Sequence, residues 1–128
     1  MPSETGQAHL LVFDPEFEFL RFDLEGGTGD VLLGDVDAEG ARRVCEALES
    51  DSGRSGPVEF LMEEAELTDG VSVALMVDAL RLLNGRHASL RLIGSPQMLA
   101  HTLYKVGMLG AGSRLVLVGP REEEGGTN

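Results

Sequence analysis

Carboxylate and hydroxyl side chains cluster around residue 69. Of the polar clusters in this chain, this one has the spacing best suited to catalysis or metal binding. Asp69 and Ser72 follow a series of four acidic residues, which are Glu59, Glu63, Glu64 and Glu66. Paired carboxylates can transfer protons or hold a divalent metal ion. Because no histidine lies close by in the sequence, we favour a solvated acidic turn, with a negative rim that selects a basic partner as the alternative.

The elements that must position these residues are a strand, a turn and a helix. Apolar residues from Val58 predict a strand with an acidic end, and a strongly apolar helix begins directly after Asp69. Asp69 suits the cap of that helix, whose first backbone N–H groups lack partners within the helix. The first turn offers only Asp69 and Ser72 as polar side chains, so it is better suited to holding a partner than to reacting with one.

The remaining candidates for catalysis or metal binding are weaker. Cys45 is the single cysteine and falls at helical spacing with apolar neighbours, which favours a buried structural thiol over a nucleophile. His9, His87 and His101 are far apart and lack the spacing of metal ligands. The sequence therefore predicts no metal, no cofactor and no enzymatic activity.

Two turns contain residues that are typical of ligand sites. Gly26, Gly27 and Gly29 could suggest a phosphate-binding loop, but no Lys-Ser/Thr pair follows and no helix begins there, so a hairpin turn is favoured. Asp35 and Asp37 could suggest a metal site. Because they lead into a predicted helix, they are better interpreted as capping residues.

Size and charge exclude several classes of function. The chain has 128 residues, which suits one domain with its own core. Acids outnumber bases 22 to 10 and the formal net charge is -12, which disfavours binding to nucleic acid or to an anionic membrane surface. No apolar run is long enough to cross a bilayer, and residues 1–7 have no signal-peptide pattern, so the cytoplasm is the expected compartment.

Hydrophobic periodicity predicts the order of the elements. Three N-terminal strands, the last two joined by a turn over residues 25–30, are expected to form a hairpin arrangement. Beyond residue 58 strands and helices alternate, which implies right-handed crossovers and parallel strands. The predicted strands are residues 9–13, 17–24, 31–34, 58–62, 89–94 and 114–118, and the predicted helices are residues 38–50, 71–83 and 96–106. Pro15 is expected to end the first strand, Gly85 to cap the end of the second helix, and Gly107 to stop the third.

We therefore expect an α/β fold in a single domain. Its sheet is predicted to be mixed and four- to five-stranded, with an antiparallel N-terminal hairpin, parallel strands from residue 58 onward, and about three helices. The domain is expected to span residues 8–119. The N-terminal residues 1–7 and the acidic tail 120–128 are predicted to be disordered.

The second predicted helix is apolar nearly all round. Its first stripe contains Val73, Met76, Val77, Leu80 and Leu83, and its second stripe contains Val71, Leu75, Ala79 and Leu82. A helix on the outside of a sheet normally has one polar face. Either neighbouring helices cover the second stripe, which we favour, or that stripe is a docking face for a partner.

Three segments in this order resemble the STAS domain, the family of the bacterial anti-sigma factor antagonists. Gly34-Asp35-Val36-Asp37-Ala38 is similar to the family's Gly-x-x-Asp-Ala sequence before its first helix. Residues 61–75 resemble its strand, acidic turn and Asp-Ser-Ser/Ala-Gly helix start. Residues 90–96, 103 and 106–109 resemble its strand, Gly-x-x-Pro-like turn and Leu-x-x-x-Gly-Leu helix end. The resemblance spans about residues 10–118.

The chain departs from this family at the regulatory serine. The family places a phosphorylatable serine directly after the aspartate, where this chain has Gly70. Glycine has no hydroxyl, so that switch cannot operate at this position. Ser72 and Thr68 are the neighbouring hydroxyls that could accept phosphate, although a helix-capping or turn role is favoured for both.

The resemblance implies a non-catalytic protein-interaction module in cytoplasmic regulation, one that is not switched by phosphorylation at the usual site. Its expected partner is an anti-sigma or serine-kinase-type regulator. The alternative is a small cytoplasmic subunit that braces the ATPase of a phospholipid-type ABC transporter. A homodimer is left open, and neither nucleic acid binding nor membrane insertion is expected. The residues expected to bind the partner are Asp69, Gly70, Val71, Ser72, Leu75, Glu64 and Glu66.

Overall fold

The computed structural model describes residues 8–50 and 56–119. The strands within them are β1 (Ala8–Phe13), β2 (Phe17–Leu24), β3 (Gly27–Val36), β4 (Val58–Leu67), β5 (Leu90–Ile93) and β6 (Leu115–Val118). The helices are α1 (Ala38–Ser50), α2 (Gly70–Arg86) and α3 (Gln97–Lys105). The two segments predicted to be disordered, residues 1–7 and 120–128, lie outside the described residues.

The described strands form one six-stranded sheet in sequential order, β1-β2-β3-β4-β5-β6. β1, β2 and β3 are antiparallel neighbours, whereas β3 to β6 run parallel to one another. The predicted α/β fold is therefore confirmed, with its antiparallel N-terminal part and its parallel strands from residue 58. The sheet is wider than the expected four to five strands because β1 and β6 both pair into it at its edges.

The turn between β2 and β3 is much shorter than predicted. Only Glu25 and Gly26 connect the two strands, and Gly26 has a φ of 82°, which suits a tight hairpin turn. Residues 27–30 belong to β3 and pair with the end of β2. The prediction of a turn over residues 25–30 is wrong because its glycines suggested a loop, whereas two of them lie in the strand ladder.

The helices follow the predicted order, and one of them differs in its end point. α1 has the predicted bounds, and α3 stops before Gly107, whose φ of 81° suits a helix end. α2 continues through Gly85 to Arg86, and the backbone N–H of His87 donates to the Leu83 carbonyl. The prediction that Gly85 ends this helix is therefore wrong. No helix among the described residues is long and apolar enough to cross a membrane.

The three helices pack as one layer against one face of the sheet. Each crossover from β3 to β6 moves one strand further in the same direction, and right-handed crossovers then place every helix on the same side. The core lies between this layer and the inward side chains of the strands, where the rings of Phe19 and Phe60 stack 5.7 Å apart. We call this side of the sheet the covered face and the opposite side the open face.

Candidate functional site

The start of α2 is closed by a reciprocal set of hydrogen bonds. Asp69 is the N-cap residue, and its carboxylate accepts a hydrogen bond of 2.7 Å from the backbone N–H of Ser72. The Ser72 hydroxyl accepts from the Asp69 N–H at 3.3 Å and donates to the Asp69 carbonyl at 2.7 Å. This arrangement is a capping box, which satisfies donors that a helix start otherwise leaves unpaired. The predicted capping role of Asp69 is confirmed.

The two hydroxyls predicted as phosphate acceptors occupy different environments. Ser72 is completely buried, and its hydroxyl is engaged with the Asp69 backbone on both sides. Thr68 is exposed, and its hydroxyl donates a long hydrogen bond of 3.4 Å to the Val36 carbonyl. A kinase would have to open the capping box to reach Ser72, whereas Thr68 is accessible without that change. Phosphorylation at either residue stays a prediction.

Gly70 occupies the first position of α2 without any steric need for glycine. The residue is exposed, and a Cβ atom built on it would meet no heavy atom within 4 Å. Its backbone is not in the positive-φ region that favours glycine. A serine would therefore fit at this position, so the missing hydroxyl is a property of this sequence and not a requirement of the local backbone.

The second apolar stripe of α2 is partly covered by α1. Ala79 is buried and Leu82 is half-buried, whereas Val71 at the helix start is 58% exposed. Leu75, one turn further on, is half-buried, and its carbonyl accepts a hydrogen bond of 3.2 Å from the Cys45 thiol of α1. Both interpretations of this stripe therefore hold for part of it: α1 covers its middle, and its N-terminal end is open.

Carboxylates flank the exposed end of α2 on the adjoining strands. Glu64 and Glu66 are exposed on β4, and Glu66 pairs in register with Asp35 of β3. Like charges directly opposite one another on neighbouring strands repel. This edge of the sheet is therefore rich in carboxylates, and a cationic group of a partner would be attracted to it.

A cavity of about 300 Å³ lies at the same edge and extends the negative surface. Thr68 lines it together with five carboxylates, which are Asp14, Glu16, Asp35, Asp37 and Glu39. Two of these are in ion pairs, Asp14 with Arg43 at 2.8 Å and Glu39 with Arg42, so the others contribute most of the negative charge. Asp37 also caps α1, because its side chain accepts from the Gly40 N–H at 2.9 Å, as predicted. The predicted capping role of Asp35 is wrong, because Asp35 lies inside β3 and not at the start of α1.

Sequence analysis missed the contribution of the β1–β2 turn to this cavity. Asp14 and Glu16 flank Pro15, for which the only predicted role was to end the first strand. The signal was nevertheless present in the predicted hairpin. Because β2 runs antiparallel to β3, the turn that precedes β2 must lie beside the carboxyl end of β3, where Asp35 is found.

Residues capable of metal binding or nucleophilic attack do not assemble into a site in the described part of the chain. No group of three or more His, Cys, Asp or Glu side chains in residues 8–50 and 56–119 could hold a metal ion. The thiol of Cys45 is half-buried between α1 and α2, and burial raises its pKa to about 11, with further contributions from the charges of Asp78, Glu49 and Glu46. Cys45 is therefore a neutral thiol at physiological pH and a poor nucleophile.

Comparison with known proteins yields no match: no family model, no curated protein and no solved structure is similar to the chain. The resemblance to STAS domains therefore stays a prediction that depends on its three sequence segments. What the site can do has to be argued from the geometry at the start of α2.

Proposed function

We propose that this chain is a non-catalytic protein-interaction module of the STAS type, which binds a protein partner at the start of α2. The observation that carries the proposal is the exposed Val71 on a first helical turn whose two polar side chains are already hydrogen-bonded. Val71 offers an apolar contact, and Leu75 extends it by one turn. An apolar centre inside a charged rim is the arrangement typical of protein interfaces.

The closed capping box supports binding over catalysis at this position. Asp69 and Ser72 are the polar side chains of the first turn, and each is hydrogen-bonded to the backbone of the other. Activating the Ser72 hydroxyl as a nucleophile would require a base within hydrogen-bond reach, but its partners there are backbone groups. The start of α2 is therefore better suited to binding a partner than to catalysis.

The charges at this surface favour a basic partner in the cytoplasm. Asp69 lies two residues before Val71, Glu64 and Glu66 lie on the end of β4 that leads into α2, and Glu16, Asp35 and Asp37 of the neighbouring cavity add further negative charge. Such a field speeds encounter with a cationic surface and disfavours acidic partners. An anti-sigma or serine-kinase-type regulator with a basic docking segment is the partner that we propose.

Affinity capture from the native cell tests the binding surface. We expect the unmodified chain to retain a partner and Val71→Asp to lose it, because a carboxylate would then occupy the apolar centre of the interface. Met98→Asp is the matched control, since Met98 is a similarly exposed apolar residue on α3. Circular dichroism should show that both variants keep the fold. Equal capture by both variants would exclude the start of α2 as the docking surface.

The identity of the captured protein decides between the two regulatory roles. A kinase-type or anti-sigma regulator supports the proposal, whereas an ABC transporter ATPase would replace it with the role of a transporter subunit. Incubation with the captured kinase and ATP then tests the missing switch. We expect no phosphate on the natural chain and phosphate on Gly70→Ser, because a serine fits there without a clash. Phosphate on Ser72 or Thr68 of the natural chain would contradict the loss of switching.

A further inference from the structure

An unbroken row of aliphatic side chains crosses the open face of the sheet. The strand registers place one residue from each of the six strands side by side, and we call this set the aliphatic row: Leu10, Leu20, Val31, Leu61, Ile93 and Val118. Leu10 is 53% exposed at one edge, and the other five are half-buried by their neighbours. No described element covers this row, because all three described helices pack on the opposite face.

The rows on either side add further apolar surface. Phe22, Leu33 and Val116 lie on the same face, and Val116 is 54% exposed. The same two rows also contain charged residues, which are Glu18, Glu59, Glu64 and Arg91. A sheet face that meets water normally alternates with polar side chains outward. Contiguous apolar patches of several hundred Å² are rare on monomers and mark interaction sites. The open face is therefore an interaction surface that is separate from the start of α2.

We propose that a second copy of this chain covers the open face, so that two sheets pack face to face in a homodimer. Sheets pack in this way about 10 Å apart, with the side chains of the two inner faces interdigitated. A row that is aliphatic from one edge of the sheet to the other can pack against the same row of a second copy. A two-fold axis in the plane between the sheets brings the same patch of both chains together, as in most homodimers.

The dimensions of the open face match those of a dimer interface. Strands lie about 4.8 Å apart and rise about 3.3 Å per residue, so two rows across six strands and a shorter third row from β1 to β4 cover roughly 500 Å² in projection once side chains are counted. Each partner in an interface of standard size contributes about 800 Å² of accessible surface. The accessible area of a corrugated side-chain surface exceeds its flat projection of roughly 500 Å², so the open face, with its flanking charged side chains included, supplies an area of the required order.

The distribution of charge favours a second copy over a basic partner at this face. The chain has a formal net charge of -12, yet the aliphatic row contains no charged residue. In the row beside it, Glu59 and Arg91 form an ion pair of 3.2 Å and neutralise each other. A basic partner is attracted to the carboxylates at the edge of the sheet, whereas a neutral apolar centre is what two copies of one acidic chain can bring together.

Sedimentation equilibrium of the full chain over a range of protein and salt concentrations tests this proposal. We expect a reversible rise from the 13.7 kDa chain mass to twice that mass as protein concentration increases. The dimer should be more stable in about 1 M than in about 0.1 M NaCl, because salt shortens the Debye length from about 10 Å to about 3 Å and screens the repulsion between two acidic chains. A sample that stays monomeric under all these conditions overturns the proposal.

Substitutions separate the open face from other surfaces. Leu61→Glu places a charge at the centre of the aliphatic row and should weaken the dimer by roughly tenfold or more. Val116→Glu should weaken it as well and should keep the fold, because Val116 is 54% exposed. Met98→Glu on α3 is the control and should leave the dimer unchanged. If folded Val116→Glu and Leu61→Glu dimerise as well as the natural chain, the open face is not the interface.

Discussion

The two faces of the sheet each contain an arginine–carboxylate pair, and the two pairs differ in almost every physical respect. On the covered face, Arg21 donates to both carboxylate oxygens of Asp30, at 2.7 and 2.8 Å, and both residues are buried. On the open face, Arg91 lies 3.2 Å from Glu59, and the side chains are 50% and 39% exposed. The same type of ion pair is thus buried away from water on one side of the sheet and exposed to water on the other.

The difference shows that connectivity, and not side-chain type, decides which face is buried. The covered face contains a charge pair among its core residues, whereas the open face leaves six aliphatic residues without a cover from any described element. Right-handed crossovers place every helix on one side, so the outward residues stay outside however apolar they are. The buried pair persists because its bidentate geometry satisfies both charges.

Removing one partner of the buried pair should give the largest effect. Asp30→Ala removes the carboxylate that accepts two hydrogen bonds from the buried Arg21 guanidinium, and we expect a loss of about 3–5 kcal/mol in the free energy of unfolding. Guanidinium chloride denaturation at neutral pH measures this loss. The double variant Arg21→Met/Asp30→Leu should regain most of the stability, because two apolar residues need no counter-charge. A loss below about 1 kcal/mol for Asp30→Ala would show that the pair is not desolvated.

Two adjacent leucines on β3 give a direct comparison of the faces. Leu32 is fully buried against the helix layer, whereas Leu33 points to the open face and is half-buried. Leu32→Ala should cost about 2–5 kcal/mol of unfolding free energy through lost burial and a cavity. Leu33→Ala should cost less than about 1.5 kcal/mol, because its side chain is already partly in water. Urea denaturation at low protein concentration measures both, and equal losses would mean that something covers the open face of the monomer.

Local patterns were sufficient to predict the element order and the cap at Asp69. A capping residue acts on its own helix within three positions, so the sequence around it contains the whole signal. The bounds of α1 and the stop at Gly107 follow from the same short range. The parallel part of the sheet was predictable because alternating strands and helices permit few other topologies.

Contacts between distant segments could not be predicted in the same way. Asp30 was assigned to a turn, and its pairing with Arg21 depends on the register that the two-residue connection at Gly26 fixes. The acidic cavity brings together the β1–β2 turn, the end of β3 and the first turn of α1. Periodicity identified both stripes of α2, but the packing of α1 decided that Ala79 is buried while Val71 is not.

The exposed pair should give the smallest effect, and the effect should depend on protein concentration. Arg91→Ala is expected to change the unfolding free energy of the monomer by less than about 1 kcal/mol, because exposed ion pairs contribute little. In a sheet-to-sheet dimer the same pair would be shielded from water, so its removal would leave Glu59 without a counter-charge inside the interface.

Any effect on association adds to the apparent stability only where the dimer is populated. Unfolding curves of Arg91→Ala should therefore match those of the natural chain at low protein concentration and differ from them at high concentration. Asp30→Ala should be destabilised by the same amount at both concentrations. A concentration-independent difference for Arg91→Ala would place Arg91 outside the interface and restrict the dimer contact to the aliphatic row itself.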